Sequence, residues 1–312
     1  MSNPILALIP SGTKAQKVYS VLPSDGSGDF AFERNGKGTR VNKDNLIETI
    51  GASVDDLARL DWLNSNCPSL LIEPLRTNRQ VRSEEIDNAS WSKTNTTVTA
   101  NQTTAPTGEL TADKLSRTST AANYVSGLSS KSASSQLDAV SSVFVKQGQG
   151  DFIAFRAQGS YPNRADAIFQ FSTKTLTTSV AGSNFSVTSS QVQDYGNGWY
   201  RLSIVYNTDT AATLASLLSP RATSGQVDAT DTSTTAFAYV WGVQFEEGST
   251  LSSYIETGSA ATTRLADVCS ITTPADVATI TETFADNTTN VITSIPTTYT
   301  VSNGLIKKII MD

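Results

Sequence analysis

The sequence predicts a mainly β chain, in which an N-terminal β-rich region precedes an antiparallel β-sandwich of the jelly-roll type and a short C-terminal β segment. Only 17% of the 312 residues are charged, and Ser and Thr are abundant, a composition typical of short strands joined by polar turns. Apolar alternating runs recur at intervals of roughly 8–12 residues, with no long amphipathic helix between them, which is the spacing of sandwiches and jelly rolls.

The first region covers residues 1–85 and is rich in Pro and in Asn-Gly or Lys-Gly turns. Its clearest strand is the apolar run Ser69–Glu73, bounded by Pro68 and Pro74. Proline is tolerated at the ends of a strand because the backbone donors of the ladder can be spared there. The run therefore predicts a buried strand near the end of this region.

Residues 86–265 are predicted to form the sandwich. The runs with the strongest strand patterns are Ala139–Val145, Phe152–Arg156, Ala167–Phe171, Trp199–Tyr206 and Ala236–Phe245. Asn197-Gly198 precedes one of these runs, and this dipeptide favours a tight hairpin turn because both residues tolerate positive φ. The remaining residues, 266–312, end in two runs, Thr298–Val301 and Leu305–Ile310, which flank Ser302-Asn303-Gly304 and predict a β-hairpin. Such a hairpin is marginal alone, so we expect it to join a sheet of its own chain or of a neighbour.

The absence of histidine excludes several classes of active site. A Ser-His-Asp or Cys-His site is impossible without it. With Cys67 and Cys269 as the only cysteines, a structural zinc site lacks its usual ligands. We predict no cofactor, no metal and no catalytic residues. The two cysteines predict small, partly buried thiols, and one long-range disulfide is the alternative.

The charge and the hydropathy pattern limit the partners that we expect. The formal net charge is -6, and no basic cluster suggests a nucleic acid partner. No apolar run approaches the ~18 residues of a membrane span, and the N-terminus lacks the pattern of a secretory signal. We therefore expect a protein that is made in a cytoplasm and that enters no membrane.

Acidic side chains provide weak candidates for a site. The pairs Asp55-Asp56, Glu84-Glu85 and Glu246-Glu247 favour solvated charge, because adjacent residues of a strand point to opposite faces and cannot flank one glycosidic bond. Loop oxygens of four residues offer a calcium alternative, although no EF-hand spacing occurs: Asp25, Asp29, Asp194 and Glu247.

Aromatic side chains provide the candidates for glycan binding, because sugars stack on flat aromatic faces. Trp199 and Trp241 lie within alternating runs, which predicts core positions. Trp91 has no such pattern around it, and Tyr161 precedes Pro162-Asn163 in a predicted loop. Trp91 and Tyr161 are therefore the residues that we expect to face a ligand.

Three groups of segments carry a resemblance to a known family. The first is Ile9–Pro23 with Thr39–Asn42 and Leu46–Glu48, the second is Arg59–Trp62 with Cys67–Asn78, and the third is Asn88–Lys93, Asp194–Arg201 and Trp241–Ser249 followed by Ser253–Thr257. These groups resemble bacteriophage fibre proteins of the head-fibre and tail-fibre type. The last two phrases of the third group, which begin at Asp194 and at Trp241, also resemble jelly-roll modules of phage fibres that are similar to carbohydrate-binding modules. The similarity covers most of the first 265 residues, although the polar stretch Arg79–Glu85 stands where such proteins continue into an apolar strand.

The resemblance implies a homotrimeric virion fibre that is assembled in the host cytoplasm. Its partners would be capsid or tail proteins of the same particle and host surface glycans, bound weakly but in many copies. The N-terminal region would then serve anchoring and oligomerisation, and we expect the attachment segment to contain Pro4, Ile5, Leu6, Leu8, Ile9 and Pro10. Two alternatives remain: a tailspike that degrades polysaccharide, and a capsid cement protein without a ligand.

The resemblance also predicts an architectural role for residues 58–78. It implies that Asp61 and Arg76 pair with each other or bond the backbone, and that Cys67 fills space before the strand that contains Leu70–Ile72.

Overall fold

The computed structural model describes residues 4–10, 13–14, 16–18, 30–51, 56–63 and 65–312. Within these ranges the regular structure consists of strands, and no α-helix occurs. The sheets are antiparallel, and most of residues 77–263 form two stacked six-stranded sheets. The prediction of a mainly β chain with an antiparallel sandwich is therefore confirmed.

The strands are numbered in chain order. Those of the first half are β1 (Leu6–Leu8), β2 (Thr13–Lys14), β3 (Lys17–Val18), β4 (Phe30–Glu33), β5 (Gly38–Val41), β6 (Ile47–Ile50), β7 (Arg59–Asp61), β8 (Ser69–Ile72), β9 (Arg76–Asn78), β10 (Ser92–Thr94), β11 (Thr96–Thr103), β12 (Ala112–Arg117), β13 (Tyr124–Ser130) and β14 (Asp138–Gln149). Those of the second half are β15 (Phe152–Gln158), β16 (Arg164–Gln170), β17 (Thr175–Ala181), β18 (Ser186–Asp194), β19 (Trp199–Asn207), β20 (Thr213–Arg221), β21 (Phe237–Glu247), β22 (Thr262–Arg264), β23 (Val268–Thr272), β24 (Ile280–Phe284), β25 (Thr289–Ile292), β26 (Thr298–Thr300) and β27 (Gly304–Met311).

The chain folds into two compact units. Unit 1 combines the residues up to Arg76 with residues 264–312, and unit 2 consists of residues 77–263. The sequence suggested three consecutive parts, 1–85, 86–265 and 266–312. In the structure the first and third of these parts share one unit, because their strands pair with each other, and the sandwich is inserted between them in the chain.

Unit 1 contains a six-stranded sheet, a five-stranded sheet and the β5–β6 hairpin. The six-stranded sheet has the order β25-β24-β27-β8-β7, with β1 also paired to β27, and the five-stranded sheet has the order β2-β3-β4-β23-β26. Side chains from both chain ends share its core, among them Leu6, Leu8, Phe30, Phe32, Leu70, Ile72, Ile280, Ile306, Ile309 and Met311. The two ends of the chain are thus needed together to bury this apolar surface.

The predicted C-terminal hairpin is wrong in its pairing. Strands β26 and β27 do form, but β26 pairs with β23, whereas β27 pairs with β1, β24 and β8. The burial of apolar β27 side chains explains the choice, since Ile306, Ile309 and Met311 are fully buried while Lys307 and Lys308 are exposed. A central position buries this apolar row more completely than a two-stranded ribbon would.

A cluster of buried charges, here called the unit 1 ion cluster, joins the two ends of the chain. Its five members are each at most 7% exposed. The Arg34 Nη1–Asp267 Oδ1 distance is 2.9 Å, the Arg59 Nη1–Glu73 Oε2 distance is 2.7 Å, and Arg59 also pairs with Asp267. Arg264 Nη2 lies 3.5 Å from Glu73 Oε2. Burial alone would lower the pKa of Arg59, but the charges of Glu73 and Asp267 outweigh it and raise that pKa.

Residues 58–78 contribute structure rather than chemistry. Asp61 accepts hydrogen bonds from the backbone N–H groups of Val41 (2.8 Å) and Leu63 (2.9 Å), so the backbone alternative is confirmed for this carboxylate. The expectation for Cys67 is corrected, since this residue is exposed and cannot fill space in a core. Cys67 and Cys269 are both free thiols, and Cys269 is buried.

Unit 2 is a sandwich of two antiparallel sheets. The front sheet has the order β10-β13-β20-β15-β16-β17, and the back sheet has the order β11-β12-β21-β14-β19-β18. Their facing side chains form one core, whose aromatic members are Trp91, Phe155, Phe169, Phe171, Phe185, Tyr206 and Phe245. Asn197 and Gly198 have φ values of 51° and 80°, which confirms the tight turn before β19.

Candidate functional site

Trp91 lies in the core of unit 2. The side chain is 1% exposed, its indole Nε1 donates to the backbone oxygen of Arg82 at 3.1 Å, and its ring packs against Gly127 so closely that a Cβ there would lie 2.7 Å from it. This burial corrects the expectation for Trp91, because a ring without an accessible face cannot stack on a sugar. No pattern in the residues around Trp91 indicates this burial, since the ring packs against Gly127 of another strand.

Residues 249–257 cover the part of the outer face of the back sheet that contains Phe144 and Trp241. Tyr254 packs its ring against Trp241, with centroids 4.5 Å apart, and against Phe144. The backbone of the covering segment is bonded to the sheet, for example from Ile255 N to Gln244 Oε1 at 2.7 Å. Trp199 and Trp241 are at most 2% exposed, so the prediction that both are core residues is confirmed.

Glu84 lies beside this covering segment and carries a displaced pKa. Its Oε1 accepts a hydrogen bond from the Tyr254 hydroxyl at 3.0 Å. Desolvation, assisted by the nearby charges of Glu256 and Glu85, raises the pKa of Glu84 to about 7. The folded state therefore retains a proton that the unfolded chain loses above its ordinary pKa of 4.5, and the free energy of unfolding falls as the pH rises from about 4.5 to about 7.

We expect the E84Q variant to be more stable than the wild type at pH 8 by about 1–3 kcal/mol, and equal to it at pH 4. The amide removes the cost of burying a charge, and it resembles the protonated carboxyl in size. Urea unfolding at the two pH values measures the difference, with E85Q as the matched control because Glu85 is exposed. An E84Q variant that gains nothing at pH 8 would contradict the displaced pKa.

The outer face of the front sheet is partly open, and the loop after β20 shapes it. Arg221 holds this loop from beneath, with hydrogen bonds from its guanidinium to the backbone oxygens of Gln226 (3.0 Å), Ala229 (3.0 Å) and Thr230 (2.6 Å). Val227 is fully buried against Ala154 and Leu217 of the sheet. The residues on either side of Val227, Gln226 and Asp228, are thereby placed over strands β15 and β16.

Four charged side chains form a fixed network at this place. Arg156 Nε lies 2.5 Å from Asp166 Oδ1, and its two terminal nitrogens donate to both oxygens of Asp228, at 2.8 and 2.9 Å. Arg164 Nε donates to Asp166 Oδ2 at 3.0 Å. The hydrogen bonds from Arg156 lower the pKa of Asp228. Asp228 stays ionised and its side chain is 42% exposed, so the network presents a fixed carboxylate to solvent.

Tyr161 stands at the edge of this network, at the tip of the β15–β16 hairpin. Its side chain is 76% exposed, and the Arg164 guanidinium lies 5.8 Å from the ring centroid. The tip is held by Asp209, which accepts hydrogen bonds from Ser160 N at 2.7 Å and from Asn163 Nδ2 at 3.2 Å. A Cβ at Gly159 would lie 2.3 Å from Asp209 Oδ1, so glycine is needed at this approach. The backbone of the tip is fixed while the ring remains accessible.

We name this region the Tyr161 surface. It combines an accessible ring with donors and acceptors that neighbouring side chains hold in place, as polar ligands with apolar faces require. Its two arginines and two aspartates balance in charge, which suits a neutral ligand better than an anionic one. The surface consists of Tyr161, Arg164, Asp166, Arg156, Asp228, Gln226 and Gln158.

Tyr161 is the one member of this surface that the sequence predicted. Arg156 and Asp166 face each other on neighbouring strands, and alternation within each run would place them opposite the core side chains. Asp228 lies 72 residues from Arg156 in the chain, and no local pattern connects the two. The position of the exposed Asp228 carboxylate could therefore not be predicted from the sequence alone.

The predicted attachment segment lies in the sheet of unit 1. Strand β1 pairs with β27, Ile5 N donates to Met311 O at 2.7 Å, and Leu6 and Leu8 are fully buried. Ile9 is 49% exposed, Pro4 and Ile5 are half-buried, and Pro10 is buried. Leu6 and Leu8 are therefore core residues of this unit, and a role of the segment in attachment stays a prediction.

The calcium alternative finds no site within the described ranges of the structure. No group of three or more Cys, Asp or Glu is placed to hold a metal ion there. Asp194 pairs with Lys174 at 3.5 Å and Glu247 with Arg79 at 3.2 Å, whereas Asp25 and Asp29 lie outside the described residues. Among the residues described, no helix has the length and apolar character needed to cross a membrane.

No protein-family model matches this chain, and no curated protein matches its sequence.

Proposed function

We propose that this chain is a structural fibre protein of a bacteriophage virion, a head fibre or a short tail fibre, which projects from the particle and binds neutral glycans of the host surface. Unit 1 would attach the protein to the particle, unit 2 would bind the ligand, and copies of the chain would associate into a homotrimer. The protein would be no enzyme, would need no cofactor, and would be assembled in the host cytoplasm.

The observation that carries this proposal is the insertion of the sandwich into unit 1. A unit that draws on both chain ends can hold an inserted unit at two points of the chain, and these two points are neighbours within the sandwich, because Thr77 Oγ1 and Thr263 Oγ1 lie 2.8 Å apart. This arrangement suits a protein that displays one module from another. The resemblance of the sequence segments to phage fibres supports the same function.

The Tyr161 surface supports the glycan part of the proposal. Its exposed ring can pack against the C–H face of a sugar, while Asp228, Arg164 and the amide of Gln226 offer acceptors and donors to hydroxyl groups. Because its charges balance, we expect neutral sugars to bind better than sialylated or uronic ones. A single weak contact becomes effective when many copies are displayed on one particle.

We expect the Y161A and R164A variants to lose at least ten-fold in affinity for the neutral glycans that the wild type binds. The control is Y161F, which keeps the ring and should bind like the wild type. A glycan array printed at high density, followed by calorimetry with the best ligand, measures the effect. Silence of the wild type on the array, or unchanged binding by Y161A, would contradict a glycan site at this surface.

The place of the protein on the particle is tested separately. Gold-labelled antibodies against unit 2 should decorate intact virions at regular positions on the head or on the tail. Unlabelled virions would contradict the fibre proposal whatever the glycan array shows. Labelled virions together with a silent array would favour a cement protein, and release of reducing sugar from host capsule would favour the tailspike alternative.

A further inference from the structure

One side of the sandwich is formed by two edge strands that nothing within unit 2 covers. Strand β17 is the last strand of the front sheet and β18 is the last strand of the back sheet. Each is paired on one flank, to β16 and β19 respectively. The other flank of an edge strand presents a row of backbone N–H and C=O groups that another strand can pair with.

The core of the sandwich is incompletely closed along this side. Val180 is directly opposite Ala165, a buried core residue, and therefore belongs to the inner face of the front sheet. It is nevertheless 48% exposed. Ser190, opposite the core residue Ile204, is exposed in the same way on the back sheet. Inner-face positions are normally buried in a sandwich, so the two strands leave an accessible strip between the sheets.

The strip carries no charge. No Asp, Glu, Lys or Arg occurs between Lys174 and Asp194, and these two flanking residues pair with each other at 3.5 Å. Edge strands of monomeric proteins are often protected by lysine, by proline or by shortness. Strands β17 and β18 contain neither lysine nor proline and are seven and nine residues long, although β18 has a shift of register between Val187 and Ser189. On the opposite side of the sandwich, β10 has only three residues and includes Lys93.

We infer that the strip formed by β17 and β18 is the surface at which a second copy of this chain binds. This inference rests on the homotrimer of the proposed function and assigns its contact surface. The charge distribution selects the partner. Two copies of a chain of net charge -6 repel each other wherever their acidic surfaces meet, so an uncharged strip is where like chains approach at least cost. The outward backbone groups of the edge strands can also pair with another strand, and each copy supplies one.

The test compares lysine substitutions in the strip with a matched lysine substitution elsewhere on the sandwich. We expect wild-type protein to sediment as an oligomer, and the V180K/S190K variant to dissociate at least ten-fold more readily, because desolvated like charges would meet in the contact. The control is L128K, which also replaces an exposed apolar residue, 62% exposed on the front sheet, and should leave the association unchanged. Sedimentation equilibrium at several concentrations gives the dissociation constants.

Hydrogen exchange of the wild type provides a second measurement that does not depend on a variant. The amides of residues 175–193 should lose protection when the protein is diluted below its dissociation midpoint, while the centre of the sandwich stays protected. A monomeric wild type would overturn the inference. An oligomer that V180K/S190K leaves intact, or that L128K dissociates, would overturn the assigned surface but leave the fibre proposal standing, because gold labelling of virions tests that proposal independently.

Discussion

Replacement of Asp267 by alanine is expected to unfold unit 1. The Asp267 carboxylate pairs with Arg34 and Arg59 and also accepts the backbone N–H of Glu73 at 2.9 Å. All of these groups are buried. In the variant, Glu73 is the only carboxylate that remains in the unit 1 ion cluster, and it faces the three guanidinium groups of Arg34, Arg59 and Arg264. Removal of one partner from a buried ion pair costs about 3–5 kcal/mol, which is most of the stability of a small unit.

Hydrogen exchange with mass spectrometry measures this effect unit by unit. We expect peptides from residues 30–51 and 264–312 of D267A to exchange far faster than in the wild type, with peptides of β14 and β21 unchanged. D44A is the matched control, because Asp44 is an exposed aspartate of the same unit. If D267A were protected as well as D44A, the ion cluster would contribute little to the stability of unit 1.

The I309D variant is expected to have an effect of similar size through the core. Ile309 is fully buried in β27, a strand that pairs with β1, β24 and β8. The substitution removes a buried side chain, which costs about 2–5 kcal/mol, and it adds a carboxylate that must be buried or protonated. The neighbouring K308D change points to solvent and should alter the stability by about 0.5 kcal/mol or less.

Thermal unfolding followed by circular dichroism and limited proteolysis distinguishes these two variants. We expect I309D to be cut within unit 1 at temperatures at which K308D and the wild type resist, and to leave a protected fragment that corresponds to unit 2. Equal resistance of I309D and K308D would show that β27 is not part of the core as described.

The sequence was informative about the sandwich because its strands carry their own patterns. Alternation in Ala167–Phe171 and Trp199–Tyr206, with Asn197-Gly198 before the second run, is a local property that tertiary contacts reinforce. Tyr161 was predicted for the same reason, since the Tyr-Pro-Asn sequence favours a loop whatever surrounds it.

The sequence was uninformative wherever a contact joins distant parts of the chain. The pairing of β27 with β8 and the ion pair of Asp267 with Arg34, which are 233 residues apart, have no local pattern. The sequence Ser302-Asn303-Gly304 favours a turn, and the turn chemistry suggested a hairpin that the long-range pairing of β27 overrides. Trp91 was misassigned because its neighbours in the chain are polar, while its partners in space come from other strands.

The composition of unit 1 from both ends of the chain has a consequence for the timing of synthesis. The N-terminal strands leave the ribosome long before their partners exist, and at about 5–20 residues per second the stretch between them takes roughly 10–40 seconds to translate. During this time unit 2 can fold. The core side chains Leu70 and Ile72, and the side chains of Arg34 and Arg59, remain exposed to solvent because their C-terminal partners have not been synthesised. Translation of a truncated mRNA would thus yield a folded unit 2 attached to N-terminal strands that cannot complete unit 1. Cellular proteases can degrade such products from the unfolded N-terminal segment.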